Sequence, residues 1–137
     1  MSDILPFIPQ RPPFVMVSEI IKADAQACTT KFLVDADNIF MNNGFLGEPA
    51  LVENIAQTAA AHTGYLCSKK NEPVPVGFIG AVQQLEVFAL PSVNDILETE
   101  ITVKNQVLNV TLISGKITCR QKPVAQCEMK IFIQPHK

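Results

Sequence analysis

The stretch Gly47 to Tyr65, GEPALVENIAQTAAAHTGY, constrains the fold more than any other part of this chain. Leu51, Val52, Ile55, Ala56, Ala59, Ala60, Thr63 and Leu66 recur near the helical period, which predicts a helix with one broad face buried. Pro49 suits the first helical position, and Lys69 and Lys70 suit the C-terminal turn. The helix is therefore expected from about Pro49 to Ser68. Ala59, Ala60 and Ala61 contribute almost no side-chain bulk, so another body can approach the helix closely. One carboxylate, Glu53, sits in the opening turns. It either answers the helix dipole or must be solvated, paired or employed, because a charge beside an apolar face is costly.

The remainder reads as strands and turns. Ile4 to Pro13 carries four prolines and should form a short turn or helical hook followed by extended chain. Phe14 to Lys22 and Ala27 to Val34 are rich in Val, Ile, Thr and Phe and flank the polar Ala23-Asp24-Ala25-Gln26, which predicts a hairpin. Asp35 to Gly47 reads as loop. Beyond Asn71-Glu72-Pro73, Val74 to Leu90 is apolar on both faces and predicts a long buried strand. After the turn Pro91 to Asp95, Ile96 to Val107 predicts a strand with Glu and Thr outside. Leu108, Val110 and Leu112 alternate until Ser114-Gly115, where Ile117 and Cys119 take the opposite parity and suggest a bulge. Ala125, Cys127, Met129, Ile131 and Ile133 then keep period two. Two strands, one long helix and about four more strands imply an α+β fold, with the helix wrapped by a curved antiparallel sheet. A length of 137 residues fits a single domain over 1–137 with its own core.

Composition removes several classes of function. Hydrophobic residues at 47% and charged ones at 18% exclude disorder. A net charge of -2 and a pI near 5.6 leave no cationic footprint for nucleic acid. No apolar run is long enough to span a bilayer and no cationic, then apolar, leader opens the chain. A cytoplasmic location without a membrane partner is expected. Cys28, Cys67, Cys119 and Cys127 lack ligand-like spacing, so small buried thiols are expected, and neither a metal nor another cofactor.

Several motifs, in order, resemble one family. Ile8-Pro9-Gln10-Arg11-Pro12-Pro13-Phe14 is similar to an opening L-P-H-R-x-P-F, with Gln10 in place of histidine. Glu53-Asn54-Ile55-Ala56-Gln57-Thr58 looks like an E-x-x-A-Q helix signature. Pro91 to Leu97 resembles a P-V-x-P-G-D-x-L turn, keeping Pro91, Asp95 and Leu97, and Gly77-Phe78-Ile79-Gly80 resembles a G-F-x-x-G strand. Together they resemble the 3-hydroxyacyl-acyl carrier protein dehydratases of the hotdog fold, and most of all a divergent dehydratase-like branch of polyene-type pigment and lipid pathways. The resemblance covers nearly the whole chain.

That resemblance implies dehydration of 3-hydroxyacyl thioesters, on acyl carrier protein or coenzyme A, to trans-2-enoyl thioesters. In the family a histidine removes the proton beside the carbonyl and a carboxylate protonates the departing hydroxyl. Here Glu53 matches the carboxylate. The family's G-H-F-P-G-x-P loop corresponds to Asn43-Gly44-Phe45-Leu46-Gly47-Glu48-Pro49, and Gly44 stands where the histidine would be. His62 lies nine residues beyond Glu53, about opposite on the helix and about 13 Å along it, so a core or sheet-facing role is expected. His136 is the second-last residue. Gln57 shares the face of Glu53 and either binds substrate, orients the carboxylate or satisfies buried backbone. Asn42-Asn43-Gly44 is either a turn or a source of neutral donors.

Relatives of this type pair as dimers with the acyl tunnel at the joint, which implies a homodimer, or a heterodimer or higher assembly. Asn43, Gly44 and Phe45 of one chain would then face Glu53 of the other, with Phe78, Ile79, Val82 and Leu85 as tunnel walls. Lys69, Lys70, Lys116, Arg120 and Lys122 are candidates for docking an acidic carrier. Two alternatives stand beside the dehydratase: a thioesterase using the same carboxylate with water, and a non-catalytic subunit that binds acyl chains or completes a pair.

Overall fold

The computed structural model describes residues 4–134; His136 lies outside them. Helix α1 spans Glu48–Lys69, with Gly47 as an extended N-cap and Pro49 in the first turn, within one residue of its expected bounds. Its burial is wider than the sequence pattern predicts. Leu51, Ile55 and Ala59 are buried, and so are Asn54, Gln57, Thr58, Ala61, His62 and Gly64, whereas Val52, Ala56, Ala60, Thr63 and Leu66 are only partly covered. The helix is covered from two sides. A sheet packs on one, and the N-terminal hook packs on the other.

The hook is the short 3-10 turn Leu5–Phe7. Ile4, Ile8, Val17 and Ala61 form a small second core beneath it. Gly64 permits this approach, since a Cβ there would lie 2.0 Å from the carbonyl oxygen of Phe7. The polar residues on the covered faces are tolerated because each is paired. Thr58 Oγ1 donates to the Asn54 carbonyl and accepts from Thr30 Oγ1, both at 2.8 Å. Asn54 Nδ2 donates to the Met16 carbonyl at 2.7 Å, and its Oδ1 accepts from Thr99 Oγ1.

Six strands make one antiparallel sheet: β1 Glu19–Ala23, β2 Ala27–Leu33, β5 Val76–Val87, β6 Ile96–Val107, β7 Val110–Cys119 and β8 Lys122–Gln134. Their order is β1-β2-β6-β7-β8-β5, so the strand after the helix ends up at an edge. β3 Met41–Asn42 and β4 Phe45–Leu46 form a separate small hairpin. The sheet closes on α1 through Leu97, Ile101, Ile113, Ile117 and Met129, which meet Leu51 and Ile55 in the main core. Each fully buried side chain of this size contributes roughly 2 kcal/mol. Gly115 leaves room for Ile55, whose Cγ2 would stand 2.5 Å from a Cβ at that position.

Four expectations change. The first strand begins at Glu19 rather than Phe14, because the backbone of Phe14 and Met16 bonds to α1 side chains instead of to a neighbouring strand. The segment 35–47 is not all loop. Asn43 and Gly44 take φ of 53° and 85°, the pair of positive values that a two-residue hairpin turn requires. β5 is not buried: Phe78, Ile79, Val82 and Leu85 are exposed on the edge strand. There is also no bulge at Ser114-Gly115. Pairing with β8 runs unbroken through both residues and shifts instead between Ile117 and Thr118.

Candidate active site

Glu53 stands in the second turn of α1, partly buried. Gln57, one turn later on the same face, is fully buried and commits its whole amide to the protein. Its Oε1 accepts from the Met16 N–H at 2.6 Å. Its Nε2 donates to the Phe14 carbonyl at 2.9 Å and to Glu53 Oε1 at 3.1 Å. With Asn54 on the Met16 carbonyl, the segment 14–16 is fastened across the helix where the carboxylate sits. Gln57 thus both bonds the Glu53 carboxylate and satisfies buried backbone, two of the three readings its spacing allows.

A cavity of about 270 Å³ opens beside the carboxylate. Gln10 and Glu53 line it, and it follows the helix past Ala56, Ala59 and Ala60 to His62 and Thr63. The ten helical steps from Glu53 to Thr63 make a length of about 15 Å at 1.5 Å per residue. The alanines supply the room, as their lack of bulk predicts. Ile101, Ile113 and Ile131 form the apolar far wall, and Phe78 and Ile79 of β5 complete it. Val82 and Leu85, also expected as walls, do not line it and face outward. A second, more open cavity shares His62, Thr63, Val103 and Thr111 and continues to Cys67, Lys70 and Lys104.

His62 is buried, and its Nε2 lies 2.6 Å from the carbonyl oxygen of Asp24. A carbonyl only accepts, so Nε2 carries the donated proton. This is a core histidine tied to the β1–β2 turn, as its helical position predicts, although its ring also reaches the far end of the cavity. Asp24 closes that turn. Its Oδ1 accepts from the N–H groups of Gln26 and Ala27 at 2.8 and 2.9 Å, which holds its carboxyl below the ordinary value.

Asn43, Gly44 and Phe45 occupy the tip of the β3–β4 hairpin and do not line the cavity of their own chain. Phe45 bridges to Ser92, and the Leu46 N–H donates to the Pro91 carbonyl at 2.8 Å. The hairpin is thereby anchored on the β5–β6 turn, where Arg120 pairs with Asp95 at 3.3 Å. The five basic candidates are not one patch. Lys70 shares the second cavity with Thr111 at the start of β7, while Arg120 follows the end of that strand, about 30 Å on at 3.3 Å per residue.

Two of the thiols are poor nucleophiles because they are buried. Burial pushes Cys28 up to about 12, with Asp24 adding to it, and Cys127 up to about 11, with Glu128 adding to it. Cys67 and Cys119 are only partly buried, which departs from the expectation for all four. Among the described residues no group of three or more His, Cys, Asp and Glu side chains is placed to hold a metal ion, and no helix is long and apolar enough to cross a membrane. Sequence reasoning missed Gln10 at this site, a half-buried side chain whose Oε1 is covered. Its place in the proline-rich opening motif was the available signal.

Comparison with known proteins bears on this arrangement. The model of the family described as ApeP-like, ApeP dehydratase, matches residues 2–137. No curated protein matches the chain. Among solved structures, the dehydratase heterocomplex ApeI:P from Xenorhabdus doucetiae superposes with a TM-score of 0.92 at 17% identity, covering 100% of this chain and 93% of that one. A hypothetical thioesterase with coenzyme A from Streptococcus pneumoniae TIGR4 gives 0.69 at 13% identity, covering 87% of each chain. The E. coli PaaI protein gives 0.65 at 17% identity, covering 83% of this chain and 81% of that one. These likenesses show the hotdog fold.

Proposed function

The chain belongs to the ApeP-like dehydratase family, and from that membership we propose that it dehydrates 3-hydroxyacyl thioesters, presented on acyl carrier protein in the cytoplasm, to trans-2-enoyl thioesters. The observation that carries this reading is the Glu53 carboxylate, bonded by Gln57 and lining a cavity of about 270 Å³ with largely apolar walls. Elimination breaks the C2–H and C3–O bonds, forms the C2=C3 double bond and releases water. With Gly44 in the histidine position, Glu53 takes the C2 proton and returns it to the departing hydroxyl, so one carboxylate serves as base and then as acid. The low-dielectric lining supports this by excluding water from the carbanion-like stage.

A second reading is favoured by a specific observation. The cavity wall includes Phe78 and Ile79 on the exposed edge strand β5, so a neighbouring chain seated there would complete it. The solved structure from Xenorhabdus doucetiae is a dehydratase heterocomplex. We accordingly propose that this chain works as one half of a hotdog pair, with a second copy or a related chain. In that pair the Asn43-Gly44-Phe45 tip of one subunit faces Glu53 of the other. If the partner performed all of the chemistry, this chain would be its acyl-binding, non-catalytic half.

The assay that separates the readings follows 3-hydroxyacyl-carrier substrates with pure protein, recording 2-enoyl product and free acid, with Glu53→Ala as control. Enoyl product that depends on Glu53 supports the dehydratase. Free acid that depends on Glu53 would move the assignment to a thioesterase. Binding without either product would leave the non-catalytic half.

A further inference from the structure

Gln10 lines the same cavity as Glu53, and its Oε1 is buried without a hydrogen-bond partner in the protein. No other side-chain nitrogen or oxygen among the described residues is in that condition. The backbone that carries it is held in place: Arg11 Nη1 donates to the carbonyls of Ile8 at 2.8 Å and of Gln10 itself at 2.7 Å. A few residues on, the fastening of Phe14 and Met16 to Gln57 and Asn54 fixes the same segment against α1. Burying an acceptor in the cavity without a partner carries a free-energy cost. It is offset when a ligand brings a donor.

Resting on the dehydratase reading above, we propose that Gln10 is the specificity-determining residue that recognises the 3-hydroxyl group of the substrate. At the reacting end of a 3-hydroxyacyl thioester the hydroxyl is the sole donor. The thioester carbonyl only accepts, and the chain beyond is hydrocarbon. Oε1 of Gln10 takes the hydroxyl hydrogen, and the hydroxyl lone pairs are left to face Glu53, from which the proton must come. The enoyl product has no hydroxyl, so Oε1 is unpaired again once water has gone. The site thereby prefers substrate to product and rejects saturated acyl thioesters. A site built to bond a hydroxyl discriminates strongly against the analogue that lacks one.

The test is a binding measurement in a Glu53→Gln background, which stops turnover, using 3-hydroxyhexanoyl-, 3-fluorohexanoyl- and hexanoyl-coenzyme A as probes. With Gln10 present, the hydroxy compound should bind about tenfold more tightly than the fluoro and saturated ones. Adding Gln10→Met should weaken the hydroxy compound by about tenfold and leave hexanoyl-coenzyme A unchanged or tighter, a pattern that a merely structural role would not give. Equal affinity for hydroxy and fluoro compounds with Gln10 in place overturns the assignment, and that comparison needs no folded Gln10 variant. So does parallel weakening of all three compounds by Gln10→Met. Failure of the dehydratase reading looks different: the hydroxyl preference would persist while the unmodified chain formed no enoyl thioester. Binding of none of the three would overturn both.

Discussion

Gln57 illustrates how a polar side chain in a helix interior can be committed wholly to partners within the protein. Its amide makes three hydrogen bonds, two to the backbone of Met16 and Phe14 and one to Glu53. Gln57→Leu should therefore act in two ways. It leaves a buried N–H and a carbonyl unpaired, so urea unfolding should show a loss of roughly 2–5 kcal/mol at constant m-value. It also frees the Glu53 carboxylate, so turnover at temperatures where the variant is folded should fall by more than tenfold. Unchanged turnover would mean that the carboxylate is oriented by something else. At this scale the sequence was legible only in part. The spacing of Glu53 and Gln57 put them on one face, but which groups would claim the glutamine amide depended on a segment some forty residues earlier.

Helix α1 owes its unusual burial to contacts that local periodicity does not register. The apolar repeat found the face toward the sheet, and its small residues found the cavity. The face under the N-terminal hook carries Ala61 and Gly64, which look neutral in sequence because they are small, and their meaning comes from how close the Phe7 backbone lies. Gly64→Ala tests this. In an exposed helix the change would stabilise by about 1 kcal/mol through propensity. Here the added methyl meets a backbone carbonyl that cannot rotate away, and overpacking of this kind costs about 1–3 kcal/mol. Thermal unfolding should show a lower Tm, and a raised Tm would contradict the packing of the hook. The strands show the same division. β6 was legible to the residue because Leu97, Thr99 and Ile101 alternate with exposed Glu and Thr. β5 was misread as buried, because an apolar edge strand carries the same composition as a central one.

At the scale of the molecule, β5 presents Phe78, Ile79, Val82 and Leu85 on the open edge of a six-stranded sheet. Long apolar edges are templates for strand pairing and are rarely left bare. The pairing proposed above should be visible by light scattering: the chain, alone or co-expressed with a related hotdog chain, should run as a complex of at least two subunits. The double substitution Val82→Lys and Leu85→Lys should return it to 15.0 kDa without loss of fold, since neither side chain lines the cavity or the core. An unaltered mass would place the interface elsewhere. Whatever covers that edge, the chemistry assigned to this protein rests on the single carboxylate beside the cavity. The most direct test runs the reaction backwards, hydrating a 2-enoyl thioester in heavy water and reading deuterium at C2 by mass spectrometry. The unmodified protein should deliver one deuteron to C2, and Glu53→Gln should slow that incorporation by at least a hundredfold. Equal incorporation by the variant would contradict the account.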